Sequence, residues 1–554
     1  MRHSSSRFVT GIFCLLFAAA GWVVAPHSSE TFSAQAQTAK QAVTAPGAAQ
    51  VQPASISTAK AAPQPKLIPA PGTEVYTAKR GEAIPTIARH YLGKTSYLTS
   101  SELAEAIRAV NHKSDTSNIL KANEEVIIPG ILSAPITART IPVSKDFEVR
   151  AVYLTGVMAA SDHGIRIIKH WREVGGNAVV FDIKDSDGSV NIPFEHPLLG
   201  EHKVYIHDVP KFVHFLHQQN MHAIARIAMF RDERLVVTHP ELAVQSRKNH
   251  TAWRENGKLV WTDPSNPKVQ DYDIALAKHV AQLGVDEIQF DYVRFPAEGD
   301  QKDAAFVFQN GQEPAQTEAA NASPEGAGCE SPGRKSRVAT KNGGKSRRDG
   351  TNSADPQKAC AVKPAVPRGP QRSDVIAAFL KKAYAELHPT GVLLSLDVFG
   401  VMAWQRQVDL SHTGQDIVQM ARYCDVLSPM IYPSHFFGMD NIPHPGDEPA
   451  HFIGESMDRF MLITKGSGVV IRPWLQAFHW RTKTYSPEYI KIQVETAKAK
   501  GGIGFLFWNA ANDYSKPYEA MPEMKSANAK EKDKYFRGDE LPAPVVQAAL
   551  TPAR

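Results

Sequence analysis

Three aspartates stand where short apolar segments end, and carboxyl groups in such places are equipped for acid–base chemistry. Asp182 follows Ala178–Phe181, Asp291 ends Glu287–Asp291, and Asp397 ends Val392–Asp397. A buried carboxylate is costly unless it is paired or used. Glycoside hydrolysis needs such a set, because one carboxylic acid protonates the leaving oxygen while a second carboxylate attacks the sugar or activates water.

The neighbours of each aspartate indicate its role. Arg294 follows Asp291 closely and would keep it ionised as the nucleophile or base. Asp397 lies among apolar residues, so burial would raise its pKa and suit it to be the acid. Asp182 and Asp185 are the rivals for this second role. A structural reading stays open, in which Asp291 and Arg294 merely form an ion pair at a strand end.

Other polar and aromatic residues fall at the ends of the same apolar segments. Amides can bond sugar hydroxyls, and flat rings can stack on sugar faces. We expect Arg226 to order Asp182 or Asp291 more than to touch substrate. The substrate-binding candidates are Arg294, Arg226, Asp185, Tyr432, His435, Trp474, Gln476, Trp508 and Asn509.

No metal or cofactor is predicted. His214 and His217 are spaced by three on a helix, but no third ligand lies nearby in the sequence. No GxGxxG motif follows an early strand, which argues against a dinucleotide.

Regular alternation of strands and helices must position these side chains. Asn266-Pro267 and Asp208 with Pro210 are helix-start signals, each followed by apolar residues at helical spacing. Eight strand–helix units predict an α/β fold of the closed (β/α)8 type, a TIM barrel, with chemistry at the C-terminal strand ends. The predicted strands are Val149–Gly156, Ala178–Asp182, His222–Met229, Glu287–Asp291, Val392–Asp397, Asp425–Tyr432, Val469–Gln476 and Gly502–Trp508.

The first 72 residues predict export. Arg2 and Arg7 precede an apolar run, Phe8 to Ala25, so residues 1–36 indicate a signal peptide, with an uncleaved membrane anchor as the alternative. Residues 37–72 have the composition of a disordered linker. The expected location is periplasmic, in the cell envelope or extracellular.

Residues 73–130 are similar to a LysM domain, a βααβ module that binds glycans containing N-acetylglucosamine. The resemblance rests on the extended segment Tyr76–Ala78 with Gly81, two helices, Asn111 after the second helix, and Val126–Pro129. The sequence departs from the pattern in Ala83, where a threonine is usual, and in a long connection at Leu92–Ser100. Glycan binding is what the resemblance implies, and a spacer that has lost its ligand is the alternative.

Residues 147–515 resemble a bacterial family of TIM barrels in the glycosidase superfamily, catalogued as a domain of unknown function. The resemblance implies a (β/α)8 fold and a carbohydrate substrate. The motifs that carry it are Phe181–Asp185, Ile224–Ile227, Trp261–Pro264, Gln289–Pro296, Asp397–Gly400, Ser428–His435 and Ile471–Gln476.

Two segments depart from a compact barrel. Residues 297–371 form an insertion of low hydrophobicity that we predict to be disordered or a mobile flap, and residues 520–554 are predicted to be a disordered tail. A bridge between Cys329 and Cys360 stays open. The formal charge of +5 gives no argument for nucleic acid as a partner.

Together these patterns favour an exported glycoside hydrolase that cleaves a cell-envelope or extracellular polysaccharide by two-carboxylate chemistry. Its partner would be a polysaccharide or a peptidoglycan-type glycan. The alternative is a non-catalytic glycan-binding protein of the envelope.

Overall fold

The computed structural model describes residues 70–114, 118–310 and 369–526. The predicted signal or anchor, the linker up to residue 69, both Cys329 and Cys360, and the tail from residue 527 lie outside the described residues. The same holds for residues 311–368 of the insertion.

Eight parallel strands close into a barrel, which confirms the predicted (β/α)8 fold. Neighbouring strands pair in chain order, and the last pairs with the first through Leu506 and Ala151. The strands are β1 (Val149–Leu154), β2 (Ala178–Lys184), β3 (His222–Ala228), β4 (Glu287–Asp291), β5 (Leu393–Phe399), β6 (Val426–Ile431), β7 in two pieces (Val470–Ile471 and Trp474–Gln476) and β8 (Gly504–Trp508).

Strand β7 is the irregular member of the barrel. Its two pieces are separated by Arg472 and Pro473, and proline has no N–H to donate to a neighbouring strand. Arg472 is fully buried and forms hydrogen bonds of 3.0 and 2.8 Å to the two carboxylate oxygens of Glu287 on β4. The interruption therefore carries a cation that is neutralised across the barrel.

Helices cover the outside of the barrel. Asn266 caps the helix that begins at Pro267 by accepting a hydrogen bond from the Lys268 N–H at 3.0 Å. Asp208 caps the helix that begins at Val209 in the same way, through the Lys211 N–H. The main helices are α1 (Asp162–Glu173), α2 (Val209–Gln218), α3 (Pro267–Ala281), α4 (Arg372–Leu387), α5 (Ile417–Met420), α6 (Pro449–Ile463), α7 (Pro487–Ala499) and α8 (Ser515–Ser526). Further short helices are Gly156–Ala159, Glu233–Thr238 and Gln407–Thr413, and α5 is equally short.

The interior of the barrel holds an apolar cluster and a set of buried charged groups. The apolar cluster includes Leu506 on β8, Ala151 on β1 and Ile224 on β3. On β3, β4 and β5 the buried inward residues include Arg226, Asp291 and Asp397. A larger apolar layer fills the space between the strands and the helices. Asp182 on β2 and Arg472 between the two pieces of β7 are buried as well, so the charged groups are not confined to one half of the interior.

The start of the insertion is ordered, which corrects the prediction of disorder from residue 297. Phe306 is buried and its ring lies 4.9 Å from that of Phe295. Arg372, at the return of the insertion, stacks on both rings and donates hydrogen bonds to the carbonyl oxygen of Pro296 and to Gln301 Oε1 at 3.4 and 2.9 Å. The aromatic residues in this polar stretch supply the core that composition alone did not reveal.

The predicted start of the disordered tail, at residue 520, was also too early. Helix α8 continues to Ser526 rather than giving way to disorder at residue 520. Ala520 and Met521 are fully buried against the barrel, and Tyr518 packs beside them. These apolar contacts stabilise the helix in a sequence whose polar composition predicts a solvent-exposed segment.

The N-terminal module consists of two helices and one antiparallel strand pair. Strands Thr73–Thr77 and Glu125–Pro129 flank helices Ile84–Tyr91 and Ser100–Val110. Asn111 joins the second helix to the second strand, because its amide exchanges hydrogen bonds of 2.8 Å with the backbone of Ile127. Within the described ranges, no helix is long and apolar enough to cross a membrane.

Candidate active site

One guanidinium joins three carboxylates at the C-terminal end of the barrel. From β3, Arg226 donates through Nη1 to Asp182 Oδ1 at 2.6 Å and through Nη2 to Asp291 Oδ2 at 2.6 Å. Its Nε lies 3.2 Å from Asp291 Oδ2 and 3.9 Å from Asp397 Oδ2. One positive charge cannot balance three ionised carboxylates in a buried site, so the protonation states of these groups are coupled.

Asp182 is held on both of its oxygens. Besides the contact with Arg226, its Oδ2 accepts a hydrogen bond from the hydroxyl of Tyr153 on β1. The side chain has no exposed surface. Burial raises the pKa of Asp182 to about 7, although Arg226 acts in the opposite direction. The carboxyl is therefore enclosed by protein partners.

Asp397 has the environment of a protonated acid. Its burial and the neighbouring Asp291 carboxylate raise the pKa of Asp397 well above its ordinary value. Arg226 and the indole N–H of Trp474, which donates to Oδ1 at 2.7 Å, act in the opposite direction without cancelling the rise. Because Oδ1 is engaged, Oδ2 is the oxygen on which a transferable proton would sit.

Asp291 is the most exposed of the three and lies at an unusual bend of the backbone. It has a relative exposure of 7%, against 0% for Asp182 and 1% for Asp397. Its Oδ1 accepts a hydrogen bond from the N–H of Tyr292 at 2.6 Å, and Tyr292 has a left-handed φ of +55°. Non-glycine residues in this conformation are strained and cluster at functional sites.

The predicted pairing of Asp291 with Arg294 is wrong. The bend at Tyr292 turns the chain away from the strand direction, and Arg294 instead donates to the carbonyl oxygen of Phe295 at 3.0 Å. Arg226 takes the predicted place of Arg294. The expectation that Arg226 orders Asp182 or Asp291 matches its position, since it contacts both.

Three residues that were predicted to contact substrate have side chains that are buried or hydrogen-bonded within the protein. Trp474 is 1% exposed, so its ring is no stacking surface. The amide of Gln476 accepts from the Ser434 N–H and donates to the carbonyl oxygen of Phe478. The amide of Asn509 donates to two backbone carbonyl oxygens and accepts from a third backbone group. These groups shape the rim from within.

Tyr432 and Trp508 form an aromatic pair beside the aspartates. Their ring centres are 5.8 Å apart with an angle of 29° between the planes. His435 lies near by, 5.5 Å from Tyr432 and 4.7 Å from Trp480 by ring centres. Burial, and then Arg481, lower the pKa of His435 to about 4, so the ring is neutral near pH 7. A neutral imidazole can both donate and accept a hydrogen bond.

A small recess lies next to this aromatic group. Its cavity volume is only about 10 Å³, and its lining includes Phe399, Val401, Tyr432 and His435. Asp185 follows β2 and accepts a hydrogen bond from the hydroxyl of Ser186 at 3.2 Å.

In the part of the chain that the structure describes, no group of three or more His, Cys, Asp or Glu side chains could hold a metal ion.

Sequence reasoning missed two residues of this site. Tyr153 binds Asp182 and lies under the guanidinium of Arg226, with 5.6 Å between its ring centre and Arg226 Cζ. Tyr292 supplies the bend after Asp291. A signal for Tyr153 was present, because it is the inward-facing polar residue near the end of β1, where the other strands carry their candidates.

A family model described as "Putative glycosyl hydrolase domain" matches residues 151–514, from the first barrel strand to the beginning of the last helix. The search of curated proteins finds no match.

The solved structures that are similar to this chain include those of three bacterial proteins. A hypothetical protein from Ruminiclostridium thermocellum is 29% identical, with 45% of this chain and 97% of that chain covered and a TM-score of 0.31. The PgaB (BpsB) glycoside hydrolase domain from Bordetella bronchiseptica is 12% identical, with 68% and 99% covered and a TM-score of 0.43. The spore cortex-lytic enzyme SleL from Bacillus megaterium is 11% identical, with 81% and 85% covered and a TM-score of 0.34. Because the family model spans more than half of the sequence and the whole closed barrel, the chain belongs to that family of glycosyl hydrolase domains.

Proposed function

We propose that this protein is an exported glycoside hydrolase that cleaves a cell-envelope or extracellular polysaccharide, with Asp291 and Asp397 as its two carboxyl groups. The observation that carries the proposal is the contact of both groups with one nitrogen, Arg226 Nε. Two carboxyl groups in unequal environments at the C-terminal end of a barrel are the arrangement that glycoside hydrolysis requires.

Asp291 is the nucleophile or base. Two nitrogens of Arg226 contact its Oδ2, which stabilises the ionised form. Its relative exposure of 7% leaves it the most accessible of the three carboxyl groups joined by Arg226. An ionised and accessible oxygen can attack a sugar carbon or remove a proton from water.

Asp397 is the general acid. Its pKa is raised by burial and by the Asp291 carboxylate, so Asp397 keeps its proton to a higher pH than an ordinary aspartate. Asp182, the rival for this role, has its two oxygens engaged by Arg226 and Tyr153. Asp182 then acts as a positioning residue that keeps Arg226 in place.

The contacts of both groups with Arg226 set an upper limit on their spacing, and retention of configuration satisfies that limit. Their Oδ2 atoms can be no farther apart than the sum of their distances to Arg226 Nε, 3.2 and 3.9 Å. Carboxyl groups lie ~5–5.5 Å apart in retaining enzymes and ~6.5–9.5 Å apart in inverting ones. The upper limit set by Arg226 lies near the bottom of the inverting range.

Leaving-group dependence tests the assignment. Asp291→Asn should reduce turnover of every substrate by ~10³-fold or more, because the attacking oxygen is lost. Asp397→Asn should lose most activity on polysaccharide but keep much of it on aryl glycosides whose phenolate departs without a proton. The measurement is kcat/KM for a series of aryl glycosides of falling leaving-group pKa, with sugars chosen from a polysaccharide screen.

Asp182→Asn is the matched control for this experiment. It should reduce activity by the same factor across the whole series, as expected for a residue that acts through Arg226. A leaving-group dependence in Asp182→Asn and none in Asp397→Asn would reverse the two assignments.

The N-terminal module supports an envelope location for the substrate. Its two helices lie between two antiparallel strands, in the order that resembles a LysM domain, and Asn111 ties helix to strand. We propose that it binds glycan containing N-acetylglucosamine and keeps the barrel near it. Pull-down of peptidoglycan by residues 70–132, against cellulose as the control polymer, tests this, and equal retention on both would oppose it.

A non-catalytic glycan-binding role is the second candidate. It is favoured by the burial of Asp182 and Asp397, which have 0% and 1% relative exposure. Absence of reducing-end release by the wild type over a broad polysaccharide panel, with binding retained, would support this role over hydrolysis.

A further inference from the structure

Arg294 is a buried cation at the rim of the site. Its Cζ lies 4.6 Å from the ring centre of Trp261 and 4.5 Å from that of Phe399. Only 9% of its surface is exposed. Among the described residues its hydrogen bonding is limited to one bond, from Nη1 to the carbonyl oxygen of Phe295 at 3.0 Å. Aromatic rings thus cover its faces while much of its N–H edge has no protein acceptor.

Glu255, Glu298 and Asp291 attract Arg294 electrostatically, but in the described ranges none of these carboxylates lies at ion-pair distance from it. Glu255 attracts it, but the oxygens of Glu255 accept hydrogen bonds from Trp261 Nε1 at 2.7 Å and from the N–H of Glu298 at 3.2 Å. Asp291 also attracts it, but Asp291 is bound by Arg226. Burial lowers the pKa of Arg294, and the attraction of these carboxylates does not offset it.

A second arginine lies against the same tyrosine. The guanidinium carbons of Arg231 and Arg294 are 5.6 and 5.7 Å from the ring centre of Tyr292, the residue directly after Asp291. Arg231 is half-buried and donates to the carbonyl oxygen of Ser186. In the described ranges it has no ion pair with a carboxylate either. Two cations therefore flank the residue that follows the proposed nucleophile.

This arrangement fits an anionic ligand. A buried unpaired charge is unfavourable, and a bound anion would remove that cost. A guanidinium whose faces are stacked on rings presents its edge as a planar fork, which matches the two oxygens of a carboxylate, sulfate or phosphate.

We propose that Arg294, with Arg231 beside it, binds an anionic substituent of the substrate, so that the glycan cleaved at Asp291 is an acidic polysaccharide. This inference rests on the proposed function, because it names the substrate class of the same site. The anionic group is a sugar carboxylate or a sulfate or phosphate ester, which share this chemistry.

Binding measurements on the full chain test the proposal independently of turnover. The probes are a uronic acid polysaccharide, the same polymer with its carboxyl groups reduced to alcohols, and neutral polymers carrying sulfate or phosphate esters. The proteins are the wild type, Arg294→Gln, Arg294→Lys and Arg459→Gln, studied by isothermal titration calorimetry. Arg459 is the matched control, since it stacks on Trp404 but is paired with Glu455 at 3.1 Å.

The wild type should bind one anionic polymer at least tenfold more tightly than its neutral counterpart. Arg294→Gln should remove that preference, Arg294→Lys should keep part of it, and Arg459→Gln should leave it unchanged. The polymer preferred identifies carboxylate, sulfate or phosphate. Equal affinity of the wild type for anionic and neutral polymers, or a preference that survives Arg294→Gln, would overturn the proposal.

Comparison between variants separates this site from the N-terminal module, which all the proteins share. Thermal melting shows whether Arg294→Gln is folded. If it is not, Arg231→Gln takes its place, because Arg231 is more exposed and should also weaken the preference. Anionic preference without turnover would contradict hydrolysis but not the subsite, whereas turnover without anionic preference would contradict the subsite but not hydrolysis.

Discussion

At Arg226, a single side chain controls the charge of three carboxyl groups. It stabilises ionised Asp291 directly and reaches Asp397 only at 3.9 Å. Burial and the Asp291 carboxylate raise the pKa of Asp397, and Arg226 at this distance does not cancel the rise, so Asp397 has the raised pKa that a general acid requires.

Replacing Trp474 by phenylalanine should shift the pH dependence of catalysis. The indole N–H stabilises ionised Asp397, so its loss raises the pKa of Asp397 further. An acid catalyst is lost as the pH rises through its pKa, and the basic limb of kcat/KM should therefore move to higher pH. A hydrogen bond to a charged group contributes ~1.5–3 kcal/mol, which corresponds to about one to two pH units.

Trp171→Phe is the control for this change. Trp171 is also fully buried and donates its N–H at 3.0 Å, but to the backbone oxygen of Arg150 in the outer layer. It should lose stability without a shift in the pH profile. An unchanged profile in Trp474→Phe would remove Asp397 from the role of acid.

The partners of the site residues were harder to predict than the residues themselves. Aspartates at the ends of apolar segments are visible in the sequence, and the structure brings Asp182, Asp291 and Asp397 together. Pairing across strands depends on register, and Arg226 lies opposite Asp182 only in the folded sheet. Arg294 is near Asp291 in sequence, but the left-handed bend at Tyr292 separates their side chains.

Among the strands, β4 carries charge at both of its ends. Glu287 opens the strand and binds Arg472 at 2.8 Å and His222 at 3.1 Å, while Asp291 closes it. Burial opposes ionisation of Glu287, but Arg472 and His222 outweigh it and lower the pKa to about 2. The lower charge cluster stabilises the strand whose upper end bears the proposed nucleophile.

Glu287→Gln should destabilise the protein by ~3–5 kcal/mol at pH 7, because Arg472 is left buried without its partner. A carboxylate with a lowered pKa stabilises the fold above its unfolded pKa, and this contribution is lost as the pH falls through the folded value. The difference from wild type should therefore shrink between about pH 4.5 and pH 2. Urea unfolding at several pH values measures it.

Glu386→Gln is the matched surface control. Glu386 pairs with Lys278 at 2.6 Å, and both side chains are substantially exposed. Its loss should cost less than ~1 kcal/mol at every pH. A comparably small effect in Glu287→Gln would show that the buried pair contributes little.

Gly504 is the closest approach in the seam that closes the barrel. Its φ is +79°, and a Cβ placed on it would lie 2.1 Å from the carbonyl oxygen of Val149 on β1. Gly504→Ala should cost ~2–5 kcal/mol through backbone strain and displacement of β1. Denaturant unfolding measures the loss.

Gly391→Ala separates strain from collision. Gly391 has a similar φ of +84°, but nothing lies within 4 Å of its added Cβ. The expected cost is ~1–2 kcal/mol. Equal effects of the two substitutions would mean that the seam adjusts without penalty.

The strands were predictable because each combines an apolar run with a polar C-terminal end. Where the prediction failed, tertiary contacts decided the outcome. Ala520 and Met521 extend α8 through a sequence of low hydrophobicity, and Phe306 orders the first part of a polar insertion. Isolated apolar residues in polar segments give no periodic signal, so their packing is visible only in the folded chain.

At the scale of the whole molecule, the N-terminal module contacts the barrel through apolar, ionic and hydrogen-bond contacts that include Leu98, Glu102 and the carbonyl oxygens bound by Lys211. Lys211 of α2 donates through Nζ to the carbonyl oxygens of Leu92 and Tyr97 at 3.0 and 3.4 Å. Its side chain is 5% exposed, and burial lowers its pKa. This buried amine is therefore one of the groups that hold the module on the barrel.

Lys211→Met should loosen the module without changing catalysis on small soluble substrates. The expected result is faster cleavage by protease between residues 132 and 148, with kcat/KM unchanged. Lys169→Met is the control, because Lys169 makes an exposed pair with Glu102 at 3.6 Å and should alter cleavage little. Equal proteolysis of Lys211→Met and wild type would show that other contacts hold the module.

Arg372, the first residue after the insertion, holds the two ends of the insertion together. The same guanidinium contacts Pro296, Gln301 and the carbonyl oxygen of His412, and it lies over Phe295 and Phe306. Because the exit and the return share one anchor, the barrel places no requirement on how many residues lie between positions 310 and 369. Lengthening, shortening or exchanging that stretch is therefore a route by which evolution, or an engineer, can graft a new domain beside the cleft while the barrel folds as before.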